Sequence, residues 1–147
     1  MIALACDHTG VALKGELAKM LDEMGLEWKD FGNYDAANRD DDYPVYGYKA
    51  AQAVASGECD RGILICGTGI GMSLAANKIR GIRCAVLSDC FSAEMCRAHN
   101  DANMIALGGR VIGTELAKRM VDLFLDTPFM GGRHAQRVDM IRALEEK

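Results

Sequence analysis

Short, continuously apolar runs alternate five times with amphipathic stretches along this chain, and that alternation restricts the fold more than any other feature. Ile2 to Cys6 reads as a first strand. Leu13, Leu17, Met20, Leu21 and Met24 then repeat at helical spacing on one face, and Gly25 stops the helix. Leu26 to Phe31 reads as a second strand, and Gly32 to Tyr43 as a polar loop rich in Asn and Asp. Pro44 is expected at the first position of a helix that ends by Gly57. Gly62 to Cys66 is a third strand, apolar on both faces as in a covered parallel sheet. A glycine turn follows, then a helix through Lys78. Arg83 to Leu87 and Met104 to Leu107 are the fourth and fifth strands, with a helix over Ser92 to Ala98 between them. Thr114 is the expected N-cap of the next helix, and Arg133 to Lys147 forms a last, charged one. Strand–helix units in this order predict an α/β chain: one Rossmann-like three-layer α/β/α domain over residues 1–147, with a five-stranded parallel sheet and a C-terminal extension from about 131 to 147.

The 147 residues are half hydrophobic, enough for a sizeable core and too many for a disordered chain. A net charge of −4 argues against nucleic acid or an anionic membrane as the main partner, yet leaves room for a local anion site. No apolar run reaches the ~18 residues of a membrane span. No basic leader precedes the first apolar run, so a cytoplasmic protein with reduced thiols is expected. The six cysteines include no Cys-x-x-Cys pair, and most are expected to be small buried hydrophobes.

In doubly wound folds, ligands sit at the carboxyl ends of the strands. That rule selects Asp7-His8, Cys66 with the turn Gly67-Thr68-Gly69-Ile70-Gly71, Ser88-Asp89 and Gly108-Gly109-Arg110. His99-Asn100-Asp101, just before the fifth strand, is expected on the same edge. Glycines let backbone amides approach a ligand, and a following helix aims its positive end at the same place. A thiol at that point sits in a field that favours its thiolate. The same amides suit a developing oxyanion, and a base beside an oxyanion hole is what proton abstraction next to a carbonyl needs. The plain alternative is a tight strand-to-helix turn with a core thiol. A dinucleotide fingerprint fits poorly, because Met72 replaces its third glycine, although Asp89 stands where a ribose-binding acid would. A thiol redox protein would need a partner for Cys66, and Cys6 on the adjacent strand is the one candidate.

His8, His99 and His134 fall in loops or at element ends without metal-ligand spacing, so no metal is expected. Arg133 and Arg137 are four residues apart, so one helical face presents both. Paired guanidinium forks suit a phosphate, and solvated surface charges are the bland alternative.

Asp7-His8, Cys66 to Gly71, Ala75-Ala76-Asn77-Lys78, His99 to Asn103 and Gly131-Gly132-Arg133-His134 together resemble ribose-5-phosphate isomerase type B, over essentially the whole chain and in order. The resemblance implies interconversion of ribose 5-phosphate and ribulose 5-phosphate through a cis-enediolate, without metal or other cofactor. Cys66 then corresponds to the base between C1 and C2, and the amides of Gly67, Thr68, Gly69, Ile70 and Gly71 to the enediolate hole, with the Thr68 hydroxyl assisting. His99 corresponds to the ring-opening acid, Asp7 to its helper, and Asn100 to a ligand of sugar oxygens. His8, Arg110, Arg133 and Arg137 correspond to the phosphate grip. The resemblance also implies a homodimer or dimer of dimers with each site between two subunits, the trailing helix reaching across. One branch of the family carries a glutamate where this chain has Met72, which leaves Cys66 as the base. The His99 and Gly-Gly-Arg-His motifs favour the pentose. The acids Asp40, Asp41 and Asp42 in the polar loop keep a hexose 6-phosphate of allose or galactose type as the alternative, beside a non-catalytic nucleotide-binding module.

Overall fold

Five parallel strands form one sheet in the order β2-β1-β3-β5-β4, seen in a computed structural model that describes residues 1–39 and 42–147. Asp40 and Asp41 of the polar loop lie outside the described residues. The strands are β1 (Ile2–Cys6), β2 (Trp28–Asp30), β3 (Arg61–Cys66), β4 (Cys84–Leu87) and β5 (Met104–Gly108). The helices are α1 (Val11–Glu23), α2 (Tyr43–Ala55), α3 (Ile70–Ala76), α4 (Cys90–Ala98), α5 (Thr114–Asp126) and α6 (Arg133–Leu144).

The pleat divides each central strand between two cores. Ile2, Leu4, Cys6, Ile63, Ile65, Ile105 and Leu107 face one side, against Leu17 of α1, Ala93 of α4 and Met120 and Phe124 of α5. Ala3, Ala5, Leu64, Cys66, Met104 and Ala106 face the other, against Ala50 and Ala51 of α2 and Met72 and Ala76 of α3. Both faces are covered, which is why these strands read as unbroken apolar runs. The second core is rich in alanine, so α2 lies close against β1 and β3.

The expected architecture holds, and the differences lie at element ends. β2 is shorter than Leu26 to Phe31, because the Leu26 N–H closes α1 by donating to the Leu21 carbonyl at 2.9 Å. Pro44 is the second helical residue of α2, after Asp42 and Tyr43. α3 stops at Ala76, since the Asn77 side chain instead exchanges two hydrogen bonds with the Cys84 backbone, at 2.8 and 2.9 Å. α4 begins at Cys90, capped by Asp89, whose carboxylate accepts the Ser92 N–H at 2.7 Å. Gly113, not Thr114, is the N-cap of α5.

Candidate active site in two halves

Cys66 ends β3 on the alanine-rich side and is buried, 4% exposed. Its carbonyl accepts the Gly109 N–H at 2.8 Å, and the Gly67 carbonyl accepts the Arg110 N–H at 3.1 Å, so the ends of β3 and β5 are tied together. The chain then turns through Gly69 (φ +82°) into α3. A side chain on Gly69 would lie 3.0 Å from the Ala106 carbonyl group, and one on Gly108 would lie 2.9 Å from that of Thr68. Only glycines permit this crossing. Its product is a sulfur that accepts a backbone hydrogen bond, from Gly69 N–H to Cys66 Sγ at 3.1 Å. The Ile70 N–H is engaged by the Thr68 hydroxyl at 3.2 Å. The Gly71 N–H stands in the first turn of α3, where no earlier carbonyl of the helix can take it.

Around that sulfur lies a cleft of about 400 Å³, lined by Asp7, Tyr43, Cys66, Gly67, Thr68, Ile70, Gly71 and Leu74. Asp7 follows β1 and is 8% exposed; its Oδ1 accepts the Thr9 N–H at 2.9 Å and the Thr9 hydroxyl at 2.5 Å. His8 opens the short 3-10 turn beside it, half-buried. The Arg110 side chain runs along Gly67, its Cδ 3.6 Å from where a Gly67 Cβ would stand. Tyr43 was not singled out by the sequence. Its ring lies over Gly71, so close that a Cβ there would fall 2.5 Å from it. Its only sequence signal is its place at the start of α2.

His99 and Asn100 are not in this cleft, which corrects the expectation that all candidates share one sheet edge. Cys66 pairs with Gly108 at the carboxyl end of β3 and β5, whereas Gly62 and Cys84 pair with Met104 at the opposite end. His99 caps the end of α4, just before β5, and so sits at that opposite end. β5 spans five residues, roughly 13–16 Å at strand rise. The signal was available, because the residues before and after a parallel strand lie on opposite edges.

A second cluster assembles at the far edge. The His99 and His134 rings stack with centroids 4.2 Å apart and 6° between planes. His134 is in the first turn of α6, beside Arg133 and one turn from Arg137. Burial, His99 and the two arginines push its pKa below the usual histidine value. The turn after His99 is held by Asp101, at φ +48°. Its carboxylate accepts Arg97 Nη1 at 2.8 Å, and its carbonyl accepts Arg83 Nη2 at 2.8 Å. Each half therefore holds part of the expected set: Asp7, His8, Cys66 to Gly71 and Arg110 at one edge, His99, Asn100, Arg133 and Arg137 at the other.

Other candidates fall away. Cys6 faces the opposite core from Cys66 and donates to the Asn33 carbonyl at 3.4 Å, so it offers Cys66 no disulfide partner. Burial pushes the thiols of Cys6 and Cys96 up to about 11 and that of Cys84 up to about 12. The exposed carboxylate of Asp89 is engaged through Oδ1 as a helix cap, which also holds its pKa below the usual range. Among the described residues, no three His, Cys, Asp or Glu side chains gather as a metal would require. A larger cleft of about 490 Å³ lies between α6 and β4; Ile82, Cys84, Ile141 and Leu144 give it apolar walls, and Arg83, Glu145 and the candidate Asn100 are among its polar members.

A family model described as Ribose/Galactose Isomerase matches residues 2–141. Ribose-5-phosphate isomerase B of Escherichia coli strain K12 is 51% identical over 146 residues, which are 99% of this chain and 97% of that protein. The structure of Clostridium thermocellum ribose-5-phosphate isomerase B matches with a TM-score of 0.95 at 52% identity, over 99% of this chain and 97% of that one. Ribose-5-phosphate isomerase B of Mycoplasma genitalium, crystallised with bound ribulose-5-phosphate, matches with a TM-score of 0.92 at 38% identity, over 99% and 96% of the two chains.

Proposed function

The chain belongs to the ribose/galactose isomerase family, and from that premise we propose that it interconverts ribose 5-phosphate and ribulose 5-phosphate in a site completed by a second copy of itself. The observation that carries this reading is the division just described: a base beside a nest of amides at one sheet edge, an acid beside paired arginines at the other. In one chain the two halves lie at opposite edges of the sheet. A two-fold dimer sets the first half of each copy against the second half of the other, giving two equivalent sites.

The chemistry divides in the same way. His99, as an imidazolium, gives a proton to the furanose ring oxygen while Asp7 draws on the C1 hydroxyl. The C1–O4 bond breaks and the open aldehyde forms. Cys66, as thiolate, then removes the C2 proton, and the electron pair forms the C1=C2 bond as charge moves onto O1. The amides of Gly67, Thr68 and Gly71 face that charge, Gly69 N–H keeps its bond to the sulfur, and the Thr68 hydroxyl relays a proton between O1 and O2. Return of the proton from sulfur to C1 gives the ketose, with no net oxidation and no metal in any step. Asn100 holds sugar hydroxyls. Arg133 and Arg137 on α6 meet the phosphate together with His8 and Arg110 of the other copy, as charge-assisted bonds from guanidinium forks. The enzyme works in the cytoplasm on pentose phosphates; no helix among the described residues is long and apolar enough to cross a membrane.

Turnover of ribose 5-phosphate by the purified protein, with chelator present and allose 6-phosphate and galactose 6-phosphate run beside it, tests the proposal. Preferred turnover of the pentose is expected. Turnover of a hexose phosphate alone would keep the chemistry and change the substrate. Silence on all three from folded, reduced protein would reject it.

A further inference from the structure

The stacked pair at the far edge holds a residue to which the proposed chemistry gives no step. We propose that His134 is a positioning residue, whose ring serves as the flat surface against which His99 is aimed at the sugar ring oxygen. The inference rests on the reading of His99 as the ring-opening acid.

Among the described residues, the ring contact of His99 is with His134. His99 caps α4, where the helical hydrogen-bond ladder ends, and its ring is half-exposed. A side chain there is free to rotate unless something packs on it. His134 supplies that contact, nearly parallel at 4.2 Å. His134 is itself firmly seated, only 6% exposed. Its N–H donates to the Gly131 carbonyl at 3.1 Å, and the Met130 N–H donates to the Ala98 carbonyl at 3.0 Å, one residue before His99. Gly131 and Gly132, both at positive φ, make the turn that starts α6 against the end of α4. The contact is therefore built by the backbone of both elements.

Arg133 and Arg137 flank His134 on α6, while Arg97 is paired with Asp101 on the His99 side. Burial, His99 and the Arg133 and Arg137 guanidinium groups hold the His134 pKa below its usual value. The His134 ring lies flat against that of His99 within this cluster of charges. The same contact couples the two functions of this half-site, since α6 holds both His134 and the arginines assigned to phosphate.

Three variants and two readouts test this. His134→Ala is expected to lower kcat for ribose 5-phosphate by about tenfold to hundredfold, the scale of a misplaced acid. His134→Phe, which keeps a flat ring without a titratable group, is expected to recover turnover to within about threefold of the native protein. The second readout bypasses ring opening. Ribulose 5-phosphate carries its phosphate on O5 and cannot close to a furanose, so exchange of its C1 proton with solvent deuterium reports on Cys66 alone. That exchange should be the same in all three proteins. Equal losses in the Ala and Phe variants, or an exchange rate that falls with turnover, would overturn the inference. His99→Asn separates it from its premise. Unchanged ribose turnover in His99→Asn would remove the acid, and the inference with it. A loss in His99→Asn with none in His134→Ala would overturn the inference alone.

Discussion

The two edges of the sheet carry chemistry of different kinds, held by different means. At the carboxyl edge the backbone does the positioning: Gly69 and Gly108 allow two chain segments to cross at about van der Waals contact, and the crossing hands Cys66 Sγ an amide proton at 3.1 Å. At the amino edge side chains share that work with the backbone: Asp101 gathers Arg83 through its carbonyl and Arg97 through its carboxylate, and one histidine packs flat on another. A base that must move a proton between adjacent carbons needs sub-ångström placement and gains from rigid backbone. A grip on a phosphate and a ring oxygen tolerates longer, more mobile side chains. The first half is thus sensitive to added volume and the second to lost charge or contact.

Substitutions can break that contrast, and the largest effect belongs to the carboxyl edge. Cys66→Ala should lower kcat by about 10³–10⁴-fold, near the upper range for a general base, with little change in melting temperature; steady-state kinetics and a thermal melt check both. A well-folded Cys66→Ala protein that keeps its turnover would remove the base from the account. His99→Asn should cost about 10²-fold in kcat on ribose 5-phosphate and leave deuterium exchange into ribulose 5-phosphate unaltered, as measured by NMR. Arg137→Ala should raise KM by about tenfold to hundredfold, the worth of one charge-assisted hydrogen bond to phosphate, with a smaller effect on kcat. An effect on kcat alone would place Arg137 outside the grip.

Most of the carboxyl half was legible in the sequence. The apolar runs of β1, β3 and β5 mark strands covered on both faces, and residues just after such strands must share an edge. The amino half was misplaced because His99 lies close in sequence to β5 but on its entry side. Tyr43 and His134 touch Gly71 and His99, which lie 28 and 35 residues away in sequence, and no periodicity encodes such contacts. The end of β2 and the cap of α5 were missed for a local reason. There, a single hydrogen bond or a neighbouring glycine outweighs propensity.

Smaller effects sharpen the contrast through stability. Gly69→Ala should cost about 1–2 kcal/mol from its left-handed backbone alone, and more from its approach to Ala106, read by denaturant unfolding. At alkaline pH the buried thiols contribute. Cys6 and Cys96 are raised to about 11 and Cys84 to about 12 from an ordinary 9.0, so the unfolded chain gives up protons first. Stability is thus unaffected by them below pH 9 and falls as the pH climbs beyond it. The melting temperature should drop between pH 9 and 11, and Cys84→Ala should flatten part of that drop, set against its own value at pH 7.

The division of the site between two chains is the central claim, and complementation tests it most directly. Cys66→Ala and His99→Asn chains, each inactive or nearly so alone, are co-expressed and their mixed dimers assayed on ribose 5-phosphate. Each mixed dimer holds one intact site and one doubly defective site. Random pairing therefore predicts about a quarter of native activity. No recovery, with mixed dimers shown to be present by native mass spectrometry, would mean that Cys66 of one chain and His99 of the other never serve the same sugar.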